Sequence, residues 1–316
     1  MRVVVTGGAG FIGSNLCRTL LATDGVDSVV ALDDLSNGSV DNLAGLDVGF
    51  VEGTILDDDA LDAAVAGADA IVHLAALGSV PRSVADPLAS HHANATGTVM
   101  VLEAARRHGG LHTIVASSSS VYGANPILPK QEDLATRPLS PYGGSKLATE
   151  GYALAWGSSY DLPVLAFRFF NVFGPGQPAG HVYAAVIPKF VDAALRGEAV
   201  IVHGDGEQSR DFTYVETVTR TIADALLRKV TSEGPVNLAY GNRISLLETL
   251  DRLERQLGIP IAREHTSPRA GDVKHSQADN ARLRELFPDI VPVDFDEGLA
   301  RTIAWMRTLP QPTTTP

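Results

Sequence analysis

The chain opens on VVVTGGAGFIGSNL, residues 3–16, where an apolar run breaks on glycines and passes into a helical pattern. Gly7, Gly10 and Gly13 fall between a predicted strand and a predicted helix, and Asp33 closes the next apolar run 20 residues past Gly13. Glycines in that setting let the backbone turn tightly and approach a pyrophosphate, which rests against the free N–H groups of the helix N-terminus. A carboxylate at the end of the second strand accepts hydrogen bonds from the adenine-ribose hydroxyls. The chain must therefore begin with a strand–helix–strand unit built for a dinucleotide. The residues after Asp33, DLSNGS, carry no Arg or Lys. A 2′-phosphate would meet a carboxylate and no cation there, so NAD is expected in preference to NADP.

The same rhythm continues through RVVVTG, SVVALDD, VGFVEG, DAIVHLAA, HTIVASSS and LPVLAFRF, each separated from the next by a helical or loop segment. Apolar runs without polar alternation suit strands covered on both faces. The expected fold is α/β, a doubly wound parallel sheet of Rossmann type with a smaller C-terminal substrate-binding lobe. Residues 1–170 are assigned to the NAD-binding part, and a helix near 213–233 is expected to return to it. Residues 171–311, chiefly 171–212 and 234–311, are assigned to the smaller lobe, and 312–316 to a disordered tail.

Composition narrows the function. A formal charge of −12 opposes nucleic-acid binding, which rewards clustered Lys and Arg. No window approaches the ~18–20 uncharged apolar residues of a membrane span. The single cysteine, Cys17, permits no internal disulfide, and a cytoplasmic setting is expected. His91 and His92 are adjacent, and Gly109 and Gly110 break the register between His108 and His112, so no metal site is expected.

Tyr142 and Lys146 stand four apart in PYGGSKLATEG, on one face of a predicted helix that begins near Tyr142. A free phenol is a poor base near neutrality. A lysine ammonium beside it, and the positive nicotinamide of oxidised NAD, favour the phenolate, which can then take a proton from a substrate hydroxyl. Upstream lies ASSSSVYG, residues 116–123, with four serines in a row. They do not sit on the Gly-x-Ser-x-Gly elbow of a serine hydrolase.

With these segments in hand, the chain resembles the extended short-chain dehydrogenase/reductases, the nucleotide-sugar epimerase and dehydratase family. The resemblance runs from Arg2 to about Met306. It rests on TGGAGFIG, HLAA, NATGT, SSSSVYG, YGGSK, RFFNVFGPGQ, GDGEQSRDFTYV and RAGDV. It implies that Ser118, four residues before Tyr122, is the catalytic hydroxyl beside Tyr142 and Lys146, bonding the sugar 4-OH and relaying its proton to Tyr142. Ser117 is then a strand-end neighbour. The resemblance also implies a cofactor site formed by Gly7, Gly10, Phe11, Ile12, Gly13, Asp33, Asn37, Gly38, Leu74, Ala75, Ala76, Asn94, Tyr142 and Lys146. For the substrate it implies Gly78, Ser79, Ser118, Ser119, Asn171, Gln177, Ala185, Arg210, Arg269 and Ser276, and a homodimer formed through helices near 94–108 and 144–158.

Family members that dehydrate the sugar carry an Asp-Glu pair just after the catalytic hydroxyl, and decarboxylating members usually place a Glu where Ser120 stands. Ser119 and Ser120 cannot do that acid–base work. The expected activity is an NAD-dependent 4-epimerase of a UDP-hexose, in the N-acetylated or the glucose series. Small residues such as Ser276 leave room for a 2-N-acetyl group without requiring one. Alternatives are a dehydratase or decarboxylase of the same family, a UDP-glucuronate 4-epimerase for which Arg82 would supply the cation, and a non-catalytic NAD-binding regulator. Two positions depart from the family pattern: Thr54, where an Asp usually contacts adenine, and Glu216-Thr217, where an Asp pair is usual.

Overall fold

Val3 and Val5 join one apolar cluster and Val4 another, and all three are fully buried. A strand whose alternate side chains are both covered belongs inside a parallel sheet. In the computed structural model, which describes residues 1–180, 184–267 and 273–309, that sheet forms the larger part of the molecule. Its first half runs β1 (Arg2–Thr6), α1 (Phe11–Leu21), β2 (Ser28–Asp33), β3 (Gly49–Glu52), α2 (Asp58–Val65), β4 (Ala70–His73), α3 (Val80–Ala85), α4 (Pro87–His91), α5 (Gly97–Arg107), β5 (His112–Ser118), α6 (Pro141–Tyr160) and β6 (Val164–Phe169). The second half adds β7 (Asn171–Phe173), α7 (Val186–Leu195), β8 (Val200–His203), β9 (Ser209–Arg210), β10 (Phe212–Tyr214), α8 (Val215–Leu227), β11 (Val236–Leu238), β12 (Ile244–Ser245), α9 (Leu246–Leu257), β13 (Arg263–Thr266), α10 (Ala281–Leu286) and α11 (Phe295–Met306).

Seven strands lie in the order β11-β6-β5-β4-β1-β2-β3, with every neighbouring pair parallel. The winding direction reverses between β1 and β4. That reversal leaves a crevice beyond the C-terminal ends of the strands, the usual ligand position in such sheets. One layer of core joins α1 to α8 through Leu16, Leu20, Val218, Ile222 and Leu226. The opposite layer gathers Leu61, Val65, Val101, Leu102 and Ala153 from α2, α5 and α6.

A separate core holds the smaller lobe, with Phe173, Phe212, Tyr214 and Phe295 packed ring to ring among Ile187, Leu250 and Leu299. The sequence places residues 234–311 in this lobe, yet β11 pairs with β6 in the main sheet, and Leu283 and Phe287 pack in the core beside α1 and α8. A strand of three residues between two polar loops gives no periodicity to read, which is why the return to the sheet is silent in the sequence. Residues 312–316 lie outside the described residues.

Candidate active site

The crevice begins at the first glycine turn. Gly7 has φ +71, and a Cβ there would stand 2.7 Å from the Ala75 backbone nitrogen; at Gly13 it would stand 2.0 Å from the Gly7 carbonyl oxygen. The turn, the following helix and the segment after β4 therefore close on one another with no room for a side chain. Helix α1 starts at Gly10 with no side-chain cap and no acidic residue in its first turn. Phe11, Ile12 and Gly13 thus begin a helix whose leading N–H groups are open to an anion. Asp33 Oδ2 accepts from Ala9 N and Oδ1 from Leu35 N, both at 2.9 Å. Burial pushes the Asp33 pKa up, and those N–H groups pull against it.

Around this turn, Gly38 packs against the Ala9 backbone, and Leu74 N and Ala75 N bond Thr6 through its carbonyl (3.1 Å) and hydroxyl (3.3 Å). Asn37 is exposed, and its Oδ1 accepts from Arg82 Nη1 at 2.6 Å. That contact is one the local sequence does not show. The residues after Asp33 lack a cation, but α3 brings one to them from 45 positions away. Asn94 lies in a π-turn, residues 92–96, and is 1% exposed. Its side chain holds Leu77 N at 2.8 Å and Ser145 Oγ at 2.9 Å, tying the loop after β4 to α6. Thr54 Oγ1 accepts from Leu56 N at 3.3 Å, a local turn contact.

Helix α6 carries the proposed chemistry. Ser140 caps it through Gly143 N, Pro141 opens its first turn, and Tyr142 N donates to Ser83 Oγ at 3.0 Å. Ser83, on α3, is fully buried. It fixes the Tyr142 backbone from 59 residues away, and no local signal in the sequence marks it. Ser118, at the end of β5, hydrogen-bonds the Tyr142 side chain. Ser118 Oγ accepts from Ser120 N at 3.2 Å and from Ser120 Oγ at 3.0 Å. Burial raises the Tyr142 pKa, and the Ser118 bond opposes the rise. Lys146 is 5% exposed, donates from Nζ to Ala116 O at 2.8 Å, and is held by burial at a pKa of about 8. His73 lies beneath, bonded to Thr6 and Thr98 at 2.8 and 3.0 Å; burial, helped by Lys146, pushes its pKa down to about 3 and keeps the imidazole neutral.

Farther along the segment after β4, Gly78 faces open space, and Ser79 caps α3 by accepting from Arg82 N. Asn171 lies beside Phe212 in the β7–β10 pair, with its N–H on Asp211 O at 3.1 Å. Gln177 Nε2 donates to Val172 O at 3.2 Å, while its Oε1 is buried without a protein partner. Ala185 stands at the uncapped N-terminus of α7. Arg210 Nη1 donates to the carbonyls of Ser209 (2.9 Å) and Lys274 (3.3 Å), and Ser276 N donates to Ser209 O at 3.0 Å. Strand β9 thereby brings Arg210 and Ser276 together, and Asn171 bonds the next residue, Asp211. Arg269 lies outside the described residues. Ser119 opens a short 3₁₀ turn, residues 119–121, on the β5 tip. Glu216 pairs with Arg301, and Thr217 Oγ1 accepts from Val293 N at 2.9 Å, so both departures near α8 serve packing.

A tight glycine turn, an uncapped helix start, a carboxylate after β2 and a Tyr–Lys pair over a serine-tipped strand fit a dinucleotide. Residues 3–239 match the NAD dependent epimerase/dehydratase family. The chain belongs to this family. The UDP-glucose 4-epimerase of Mycolicibacterium smegmatis is 38% identical over 324 aligned residues, covering 98% of this chain and 100% of that protein. The dTDP-glucose 4,6-dehydratase of Streptomyces niveus is 34% identical and covers 97% of this chain and 93% of its own length. Among solved structures, the UDP-N-acetylglucosamine 4-epimerase of Methanobrevibacter ruminantium, in complex with UDP-N-acetylmuramic acid, superposes with a TM-score of 0.91 at 36% identity, covering 97% and 98% of the two chains. As a member of this NAD-dependent family, the chain takes NAD as its cofactor. No helix among the described residues is long and apolar enough to cross a membrane.

Proposed function

We propose that the protein is an NAD-dependent 4-epimerase of UDP-hexoses. One observation carries the choice among the family's reactions: Ser119 and Ser120 follow Ser118, and the Ser120 hydroxyl is turned onto Ser118. Expelling a 6-hydroxyl needs an acid and a base beside C5 and C6, and a serine hydroxyl supplies neither at neutral pH. The carboxylate that does lie beside the serines, Glu150, is bonded to Ser117 and Arg168. What the remaining groups support is proton transfer at a single hydroxyl.

In this reading Tyr142 Oη takes the proton from the sugar 4-hydroxyl and later returns it. NAD, when bound, would supply reversible hydride transfer at C4, so Tyr142 serves the same hydroxyl in both directions with no net redox change. Ser118 donates to the Tyr142 oxygen and stabilises the phenolate, and the Lys146 ammonium does so by charge. Relay of the sugar proton through Ser118 requires the Ser120 hydroxyl to turn away first, whereas direct transfer to Tyr142 does not. Phe11, Ile12 and Gly13 would hold the NAD pyrophosphate, and Asp33 the adenine ribose. Asn171, Arg210 and Arg269 would hold the UDP diphosphate, where guanidinium forks suit paired anions. The open space at Gly78 and the small Ser276 leave room for a 2-N-acetyl group.

The experiment is a substrate panel: UDP-GlcNAc, UDP-glucose and UDP-glucuronate, each incubated with the protein and resolved by NMR. Inversion at C4 without loss of mass supports the proposal; loss of water or carbon dioxide rejects it. We assign the protein to the cytoplasm, in keeping with its lone, buried Cys17. We also assign it a homodimer through α5 and α6. Tyr152, Trp156 and Tyr160 form a ladder along α6 with centroids 6.0 and 5.5 Å apart, and Tyr152 and Tyr160 are 42% and 52% exposed. An aromatic stripe of that kind is a natural partner for its own copy.

A further inference from the structure

Ser117 and Arg168 are register partners on β5 and β6, so their side chains leave the sheet on one face, the face that α6 covers. Glu150 meets them there. Its Oε2 accepts from Ser117 Oγ at 2.7 Å and from Arg168 Nε at 2.9 Å, and its Oε1 accepts from Arg168 Nη2 at 2.7 Å. Arg168 Nη1 donates to Glu132 O at 3.0 Å, and the guanidinium lies 4.7 Å from the centre of the Tyr122 ring. Tyr122 is anchored in turn by its hydroxyl on Asn237 Oδ1 at 2.7 Å.

Both charged side chains are only 4% exposed. Desolvating such a pair costs about as much as its attraction returns, and apolar replacements of similar volume are often neutral or stabilising. Stability is therefore a weak reason for burying it. Its geometry offers a better one. Tyr142, Lys146 and Glu150 recur every four residues along α6 and form one stripe. Lys146 Nζ reaches Ala116 O, and the Lys146 carbonyl accepts from Ser117 Oγ at 3.2 Å. The Ser117 hydroxyl thus touches α6 at two successive turns, immediately before Ser118. A two-pronged guanidinium–carboxylate contact fixes direction as well as distance.

We propose that Glu150, held by Arg168 and Ser117, is a positioning residue that sets the rotation of α6 against the tip of β5, and so the alignment of Tyr142 and Lys146 with Ser118. The proposal rests on the epimerase reading above. It needs no contact between Glu150 and substrate, and it assigns the buried pair to catalysis through geometry.

The test uses the NAD-loaded enzyme and the best substrate of the panel. If wild type epimerises nothing, the functional reading fails and the positioning role has no reaction to serve. With active wild type, Ser117→Ala is expected to lower kcat about tenfold while KM stays within about twofold, since displacements of an ångström or less are felt in turnover. Its acid limb of kcat should also move to higher pH, because the phenol is no longer presented squarely to its stabilising partners. Ser117→Thr, which keeps the hydroxyl, should restore both. The double variant Glu150→Leu/Arg168→Met, which removes both charges together, should fold with a Tm close to wild type and remain slow. Wild-type kcat and pH profile in Ser117→Ala, or full turnover in the double variant, would overturn the proposal and leave the pair as packing. Should the double variant not fold, the comparison of Ser117→Ala with Ser117→Thr decides alone.

Discussion

Tyr142 begins with a handicap: burial raises its pKa, and the hydroxyl of Ser118 counters the rise. Two roles for Ser118 can be separated on this basis. If it acts by donating to the phenol oxygen, Ser118→Ala raises the Tyr142 pKa, and the acid limb of kcat moves to higher pH. A pure relay would instead lower kcat at every pH. We expect the alkaline shift, read from kcat across pH 6 to 10. Tyr142→Phe, which leaves no proton acceptor, should lose about 10²–10⁴-fold in kcat while retaining NAD and the wild-type Tm. At this scale the sequence was highly legible, because Gly13, Asp33, Ser118, Tyr142 and Lys146 each sit in a short run with its own spacing. Ser83, Glu150 and the Arg82–Asn37 contact were not. Each acts on a group 18 to 59 residues away, across elements whose packing only the fold supplies.

The glycine turn and α1 act as one element, and their tolerance can be estimated from contact. A Cβ at Gly13 would lie 2.0 Å from Gly7 O and 2.8 Å from Gly8 Cα, so backbone would have to move. Gly13→Ala is therefore expected to cost roughly 1–3 kcal/mol of stability through overpacking. By shifting the helix start from the turn it should also strip the protein of NAD, measured by releasing and quantifying nucleotide from the purified variant. Gly78→Ala makes a fair control, since nothing lies within 4 Å of a Cβ there. Much of the first half was readable in advance: the strands from β1 to β6 and the helices α1, α5 and α6 all fall on segments that the sequence singles out. The three-residue β11 was not readable, because its place is fixed by pairing with β6 and by Asn237, whose side chain bonds Lys130 O at 2.8 Å and Asp279 O at 3.1 Å.

For the whole molecule, the two cores must be held at a fixed relation for the crevice to exist, and Asp211 sits at their seam. Its backbone carbonyl accepts from Asn171 N, its Oδ2 accepts from Ala278 N at 3.0 Å, and its Oδ1 is buried without a hydrogen-bond partner. The side chain is fully buried, and burial drives its pKa up to about 7, with neighbouring backbone N–H groups opposing the rise. Unfolded, the same carboxyl titrates near ~4. Between the two values the folded chain binds the extra proton, so this group contributes stability that is full below about pH 4 and lost as pH rises through about 7. Asp211→Asn cannot ionise. It gives up an acceptor, which costs a roughly constant amount, but it also escapes the charge that wild type must bury at higher pH. The difference in Tm, variant minus wild type, should therefore rise between pH 5 and pH 8, measured by thermal scans of both proteins in matched buffers. A difference that stays flat across that range would mean that Asp211 is already ionised at pH 5, and that its backbone donors outweigh its burial.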